Sequence, residues 1–160
     1  MQKVAFGGGC HWCTEAVFQS LKGVDKVEQG WISSTYHDSC KPSEAVIVYH
    51  DSSLIPLDIL IEIHLHTHRA TSNHSMRTKY RSAVYTFTAS QHKEVESILE
   101  EKKSLFDKPI VTKAYPFKSF ELNQEKYLNY YQKNPKKPFC VTYIEPKLKM
   151  LLERFSMYAR

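Results

Sequence analysis

The sequence predicts an α+β fold: a mixed sheet with helices packed on it, one domain over residues 1–160, and a cysteine at the N-terminus of the first helix. Three observations lead there. Short β-branched runs mix with amphipathic stretches but lack the strict strand–helix period of a doubly wound sheet. A chain of 160 residues suits one domain around one core. A content of 42% hydrophobic and 24% charged residues is globular, not disordered or disulfide-scaffolded.

The elements follow in order. Residues 3–6 read as a short strand entering the glycine turn Gly7-Gly8-Gly9. Trp12, Ala16, Val17 and Leu21 fall near helical spacing, and Gly23 follows as a stop, so residues 12–21 read as a helix. Residues 24–31 and 45–49 read as strands. Pro56 opens a helix to about residue 64, with Leu57, Leu60, Ile61 and Ile63 on its apolar side. Residues 65–79 carry little periodicity and read as a functional loop. Then come a strand at 83–87, a charged helix at 90–105, and a strand at 110–114. A short helix at 123–132, stopped by Asn134-Pro135, and an amphipathic helix at 146–158 complete the chain.

Composition excludes some classes. The net charge of +5 is mild, and the basic residues are spread apart from Lys133, Lys136, Lys137 and the stretch 147–160. That pattern describes a solvated surface, so no nucleic-acid partner is expected. No apolar run approaches the ~18 residues of a membrane helix, and no membrane partner is expected. The N-terminal residues lack the apolar core of a signal peptide. A soluble, cytoplasmic protein is the expectation.

The four cysteines carry the chemistry. Cys10 and Cys13 form a C-x-x-C, while Cys40 and Cys140 stand alone, so a four-cysteine zinc ribbon is not indicated. Cys10 follows three glycines and opens a helix, where free amides and the helix dipole stabilise a thiolate. It is therefore a candidate nucleophile. Cys13 lies one helical turn on, and the pair suits a reversible disulfide. Three alternatives stand beside this: a buried structural pair, a zinc-binding module with the nearby histidines, and a general dithiol–disulfide oxidoreductase.

The stretch Gly9-Cys10-His11-Trp12-Cys13-Thr14-Glu15 resembles the G-C-F-W-x-x-E signature of the class A peptide methionine sulfoxide reductases. Phe18, Gly23-Val24 and Gly30-Trp31 follow in the family's order. Ser43-Glu44-Ala45-Val46 is similar to its H-A-E-A-V, and Lys79-Tyr80-Arg81-Ser82-Ala83-Val84-Tyr85 to its Q-Y-R-S-x-I-Y. Ile110-Val111-Thr112, Glu125-Lys126-Tyr127 and Asn134-Pro135 match later landmarks.

The resemblance implies thiol-dependent reduction of methionine (S)-sulfoxide, free or in proteins, as repair of oxidative damage. Cys10 is then the nucleophile, Glu44 the acid that protonates the sulfoxide oxygen, and Tyr36 and Tyr80 hydrogen-bond donors to that oxygen. Trp12 is the wall for the substrate methyl, with His11, His74 and Ser75 around the substrate. A sulfoxide oxygen leaves poorly until protonated, which is why an acid is needed. Phenol donors stabilise developing charge, and an aromatic face accepts a thiomethyl group. Cys13 is the first choice of resolving cysteine, Cys140 the second, Cys40 the third. No metal or resident cofactor is implied; the co-substrate is a thiol reductant such as thioredoxin, and a monomer is expected.

Several positions depart from the family pattern. His11 stands where the family has Phe, Ser75 (beside His74) where it has Asp, and Arg77-Thr78-Lys79 where it has Gly-x-Gln. Tyr127-Leu128-Asn129 replaces Y-H-Q, and the loop from Tyr36 to Glu44 is about four residues short. His64, His66 and His68 share a face on a strand, while on a helix only the first and last do. As the end of an apolar helix they read as capping residues rather than as metal ligands.

Overall fold

The computed structural model describes residues 1–35 and 41–160. Tyr36 and Cys40 lie outside the described residues. Five strands, β1 (Gln2–Gly7), β2 (Val24–Ser34), β3 (Ser43–His50), β4 (Ala83–Thr86) and β5 (Lys113–Leu122), form a sheet in the order β1-β3-β2-β5-β4. It closes into a barrel where β4 pairs with β1. The β4–β5 ladder is parallel and the others antiparallel, so the mixed α+β expectation holds. The helices are α1 (His11–Gln19), α2 (Leu57–Thr67), α3 (Ala89–Lys102), α4 (Tyr130–Lys133) and α5 (Glu145–Arg154). No helix among the described residues is long and apolar enough to cross a membrane.

The two-residue period of the strands divides the core. Val4, Phe6, Val46, Val48 and Val84 pack against Val17 and Phe18 of α1, Leu60 and Ile61 of α2, and Val95 of α3. The alternate residues Ala5, Ala45, Ile47, Ala83 and Tyr85 cluster with Ile32 on the opposite, inner face. Three of these are alanine, which suits the narrow interior of a five-stranded barrel. Each large aliphatic side chain buried in the outer layer contributes about 1.5–3 kcal/mol. Gly30 of β2 lies where β3 and β5 flank it, and a Cβ there would collide with the Glu121 carbonyl oxygen.

Four segments differ from the sequence expectation. Residues 110–114 are not a strand; β5 starts at Lys113 and continues to Leu122. Its first part pairs with β4 and its second with β2, and Pro116 sits at the junction, where a missing N–H costs least. Residues 123–132 are not one helix. Asn129 takes a left-handed conformation (φ 55°), splitting the stretch into a single 3₁₀ turn, Glu125–Tyr127, and the short α4. The last helix starts one residue early, at Glu145, after a π turn at Cys140–Ile144, and ends at Arg154. The remaining residues return to the end of α1, where Arg160 N–H donates to the Ser20 carbonyl at 2.9 Å and Leu21 bridges Ala159. The predicted loop at 65–79 begins three residues late, since α2 runs to Thr67, and holds one 3₁₀ turn at Ser75–Thr78.

Glu15 couples α1 to the segment that follows β5. Buried on α1, its carboxylate accepts the N–H groups of Asn129 (2.9 Å) and Tyr130 (3.1 Å). Burial pushes this carboxyl up, and the two N–H donors draw it back. Hydrogen bonds to an ionised acceptor contribute about 1.5–3 kcal/mol each, set here against that burial cost. Glu15→Ala is therefore expected to lower stability by about 2 kcal/mol in urea unfolding and to open residues 123–135 to limited proteolysis. An unchanged midpoint and cleavage pattern would show that this segment is held by packing alone.

Candidate active site

Cys10 is the N-cap residue of α1 (φ −58°, ψ 130°), and its carbonyl accepts the N–H groups of Cys13 (3.1 Å) and Thr14 (3.2 Å). Its position is set by the preceding turn. Gly8 has φ +152°, and a Cβ there would meet the His68 ring at 2.5 Å. His64 Nε2 lies 2.8 Å from the Gly7 carbonyl oxygen; since that oxygen only accepts, Nε2 carries the proton. Arg77 Nη1 donates to the Gly8 and Tyr80 carbonyls, both at 2.9 Å, while its Nε donates to Ser72. One guanidinium thus ties the loop before β4 to the glycine turn.

The thiols are differentiated. The Cys13 thiol, hydrogen-bonded to the Cys10 sulfur, holds Cys10 below the ordinary thiol range; burial opposes this and the backbone N–H groups of Trp12 and Cys13 assist. The helix-end amides inferred from the sequence are therefore present but come second to the neighbouring thiol. Cys13 is pushed up by that same bond, by burial and by the Cys10 charge. Burial also pushes Cys140 up. All three described cysteines are free, and Cys140 is already packed in one apolar cluster with Cys13, Ala16 and Ile144, against which Cys10 rests.

A cavity of about 400 Å³ opens at this point. Cys10, Cys13, Tyr80, His74, Phe139 and Lys147 are among its walls. Lys147 of α5 donates to the Thr67 carbonyl, and burial pushes its ammonium down. Nothing in the sequence pointed to Lys147, which stands far along the chain from Cys10. His74 caps the 3₁₀ turn, its Nδ1 accepting Met76 N–H at 3.1 Å.

Other candidate residues lie off the walls of this cavity as the described residues define it. Ser75 is exposed on the 3₁₀ turn. Trp12 stacks on Tyr130 with ring centroids 3.9 Å apart and meets Phe139 edge-on at 5.4 Å. His11 is buried at 5% exposure beneath Glu44. Glu44 lies within β3 rather than before it and is also buried. Its Oε1 accepts the His11 backbone N–H at 3.2 Å, and its Oε2 is 3.6 Å from Lys79 Nζ.

The histidines have structural work. His68 Nε2 is 2.8 Å from Ser82 Oγ, and the His64 and His68 rings stack at 4.1 Å. His66 stacks on Phe106. Among the described residues no group of three or more His, Cys, Asp or Glu side chains could hold a metal ion.

The sequence profile of the family described as peptide methionine sulfoxide reductase matches residues 2–158. The chain is 33% identical over 173 residues to the peptide methionine sulfoxide reductase MsrA of Psychrobacter sp. (strain PRwf-1), covering 99% of this chain and 98% of that protein. Its fold is similar to the crystal structure of Mxr1 from Saccharomyces cerevisiae in reduced form, with TM-score 0.76, 21% identity and coverage of 89% and 90%. Mxr1 in complex with Trx2 is also similar, with TM-score 0.63, 19% identity and coverage of 81% and 84%. At those identities the two structures speak for the fold alone. The profile and the curated relative both span nearly the whole sequence, and the chain belongs to the peptide methionine sulfoxide reductase family.

Proposed function

We propose that the chain, as one domain over residues 1–160, reduces methionine (S)-sulfoxide to methionine with Cys10 as nucleophile and Glu44 as acid. The observation that carries this reading is the thiol of Cys10, the one activated among the described cysteines, on a cavity wall shared with Tyr80. The thiolate attacks the sulfoxide sulfur while Glu44 gives a proton to the sulfoxide oxygen. The hydroxyl so formed passes to the Cys10 sulfur as the methionine sulfur departs with its electron pair. Thiolate, carboxylic acid and sulfoxide become sulfenic acid, carboxylate and thioether; Cys10 loses two electrons and the methionine sulfur gains them. The Tyr80 and Tyr36 hydroxyls donate to the oxygen as its charge develops. Phe139, braced edge-on by Trp12, supplies an apolar wall for the thiomethyl group. His74 lies at the cavity beside the substrate, with Ser75 behind it.

A second thiol then attacks the sulfenic acid, water leaves, and a disulfide forms. Cys13 is the first choice because its thiol already bonds the Cys10 sulfur; Cys140 is the second, from the same apolar cluster. An external dithiol supplies two electrons and two protons to restore both thiols. Thioredoxin fits that role, and a fold neighbour crystallised in complex with Trx2 supports it. The substrate is methionine sulfoxide, free or in proteins, and the setting is a monomer in the cytoplasm.

Glu44→Gln keeps the shape of the acid and removes its proton. A fall in kcat of about 10²–10⁴ with a much smaller change in KM is expected in a coupled assay with dithiothreitol. Unchanged kcat between pH 6 and 8 would remove Glu44 from the mechanism.

Cys10 is held low chiefly by the Cys13 thiol, so its thiolate persists below the ordinary thiol range. Cys13→Ala takes that donor away, and the pH midpoint of Cys10 alkylation by iodoacetamide is expected to move upward. A downward shift or none would assign the activation to the helix amides instead.

Resolution is read separately. Cys13→Ser is expected to release one methionine per enzyme in a single burst and then stall with thioredoxin, while Cys140→Ser cycles. The reverse pattern, with a Cys10–Cys140 bridge in peptide maps, would move the resolving role to Cys140.

A further inference from the structure

The cavity at Cys10 is rich in cations and poor in acids. Among the described residues its walls include Lys147 and Arg69 but no Asp or Glu. Lys147 comes from α5, and Arg69 from the segment that follows α2. The two stand close enough for the Arg69 charge to push the Lys147 ammonium down, in the same direction as burial. Arg69 acts in the same way on His74, which shares the wall.

A charge drawn in from water is ordinarily paired, and two like charges on one wall call for a counter-charge. The ion pairs of the described residues engage other lysines and histidines; none includes Lys147 or Arg69. One Lys147 N–H goes to the Thr67 carbonyl at the C-terminal end of α2, which fixes the ammonium and leaves two donors. The Cys10 and Cys13 sulfurs attract it only when ionised, and Cys10 gives up its charge when it attacks the substrate. The anion that balances this wall through the reaction is therefore one the substrate brings.

In methionine sulfoxide the carboxyl carbon is only a few bonds from the sulfur. With the sulfur at Cys10 and the thiomethyl group against Phe139, the main-chain end of the residue stays within reach of the same walls. An internal residue offers two neutral amides there. A C-terminal residue offers a carboxylate. The free amino acid offers a carboxylate and an ammonium, and the ammonium is repelled by both cations. We propose that Lys147 and Arg69 form a carboxylate subsite, so that the preferred substrate is a C-terminal methionine sulfoxide, with its amine acylated and its own carboxylate free. The Lys147 ammonium supplies a point charge from the inner wall, and the exposed Arg69 guanidinium a second pair of donors from outside.

This inference rests on methionine sulfoxide being reduced at Cys10, and the test separates the two. Three S-epimer probes are compared in the coupled assay with dithiothreitol: N-acetyl-methionine sulfoxide, its N-methylamide and free methionine sulfoxide. The first is expected to show kcat/KM about tenfold above the other two, chiefly through KM. Equal kcat/KM for all three would overturn the subsite and leave the activity standing, whereas reduction of none would remove the activity and the subsite with it. In Lys147→Gln and in Arg69→Gln the acid-to-amide ratio of kcat/KM is expected to fall toward one, a readout that a general loss of activity does not move. An unchanged ratio in both variants would leave these cations to the thiols and the Thr67 carbonyl and overturn the proposal. A fourth probe, the internal N-acetyl-methionine sulfoxide followed by glutamate amide, tests a neighbouring side chain as the source of the carboxylate; a kcat/KM above that of the first probe would show that the residue's own carboxylate is not what is read. Binding is measured without turnover by calorimetry on Cys10→Ser. N-acetyl-methionine sulfoxide is expected to bind about tenfold more tightly than its N-methylamide at low salt and to lose that advantage at high salt; equal affinities at low salt would count against the subsite.

Discussion

The carbonyl groups of Gly7 and Gly8 are each held by a side chain from outside their own turn, and the site depends on those two bonds. His64 reaches Gly7 from α2, and Arg77 reaches Gly8 from the segment before β4. Between them, His68 lies where a Cβ on Gly8 would fall. A strand, a helix and a loop are thereby locked to one short turn, and Cys10 leaves it at a fixed angle. The histidine cluster that invites a metal reading from sequence is thus the packing behind the turn that carries Cys10. Burial keeps His64 and His68 neutral, so this packing does not charge up near neutral pH.

The second half of the site arrives from the C-terminal part of the chain. Glu15 draws Asn129 and Tyr130 onto α1, which brings Tyr130 over Trp12 and sets the π turn and Cys140 beside Cys13. The order is physical: a buried carboxylate needs donors, backbone N–H groups provide them, and the aromatic stack follows. One consequence is that Trp12 meets the cavity-lining Phe139 edge-on while lying off the cavity wall itself.

What was legible in the sequence was local. A strand, three glycines and a helix cap lie within a dozen residues, and their periodicity marks them directly. The family resemblance brought Glu44 and Tyr80 to the same neighbourhood, but not what surrounds them. His11 was expected beside the substrate because its neighbours in the motif are there; its partners Gly30 and Asn123 are remote in sequence, and they turn it inward. β5 was hidden because Pro116 and charged residues break its alternation, and its two ladders each need only half of it. α4 was overrun because a left-handed Asn129 leaves no trace in hydrophobic period. Lys147 had no signal at all: it reaches the cavity through the fold of α5.

The closing of the barrel has a consequence for how the chain is made. β1 is completed on one side by β3 but on the other by β4, and the ring is sealed only through β5, which ends at Leu122. The clamp on Glu15 waits for residues 129 and 130, and the lock on the end of α1 waits for Arg160 itself. Pairings this distant in sequence form slowly, because loop closure precedes the contacts that reward it. During synthesis Cys10 is therefore made before β5, residues 129 and 130 and Arg160, and it is enclosed only once they have followed. Throughout that interval Cys10 has Cys13 beside it but lacks Cys140 and the Phe139 and Lys147 walls of its cavity.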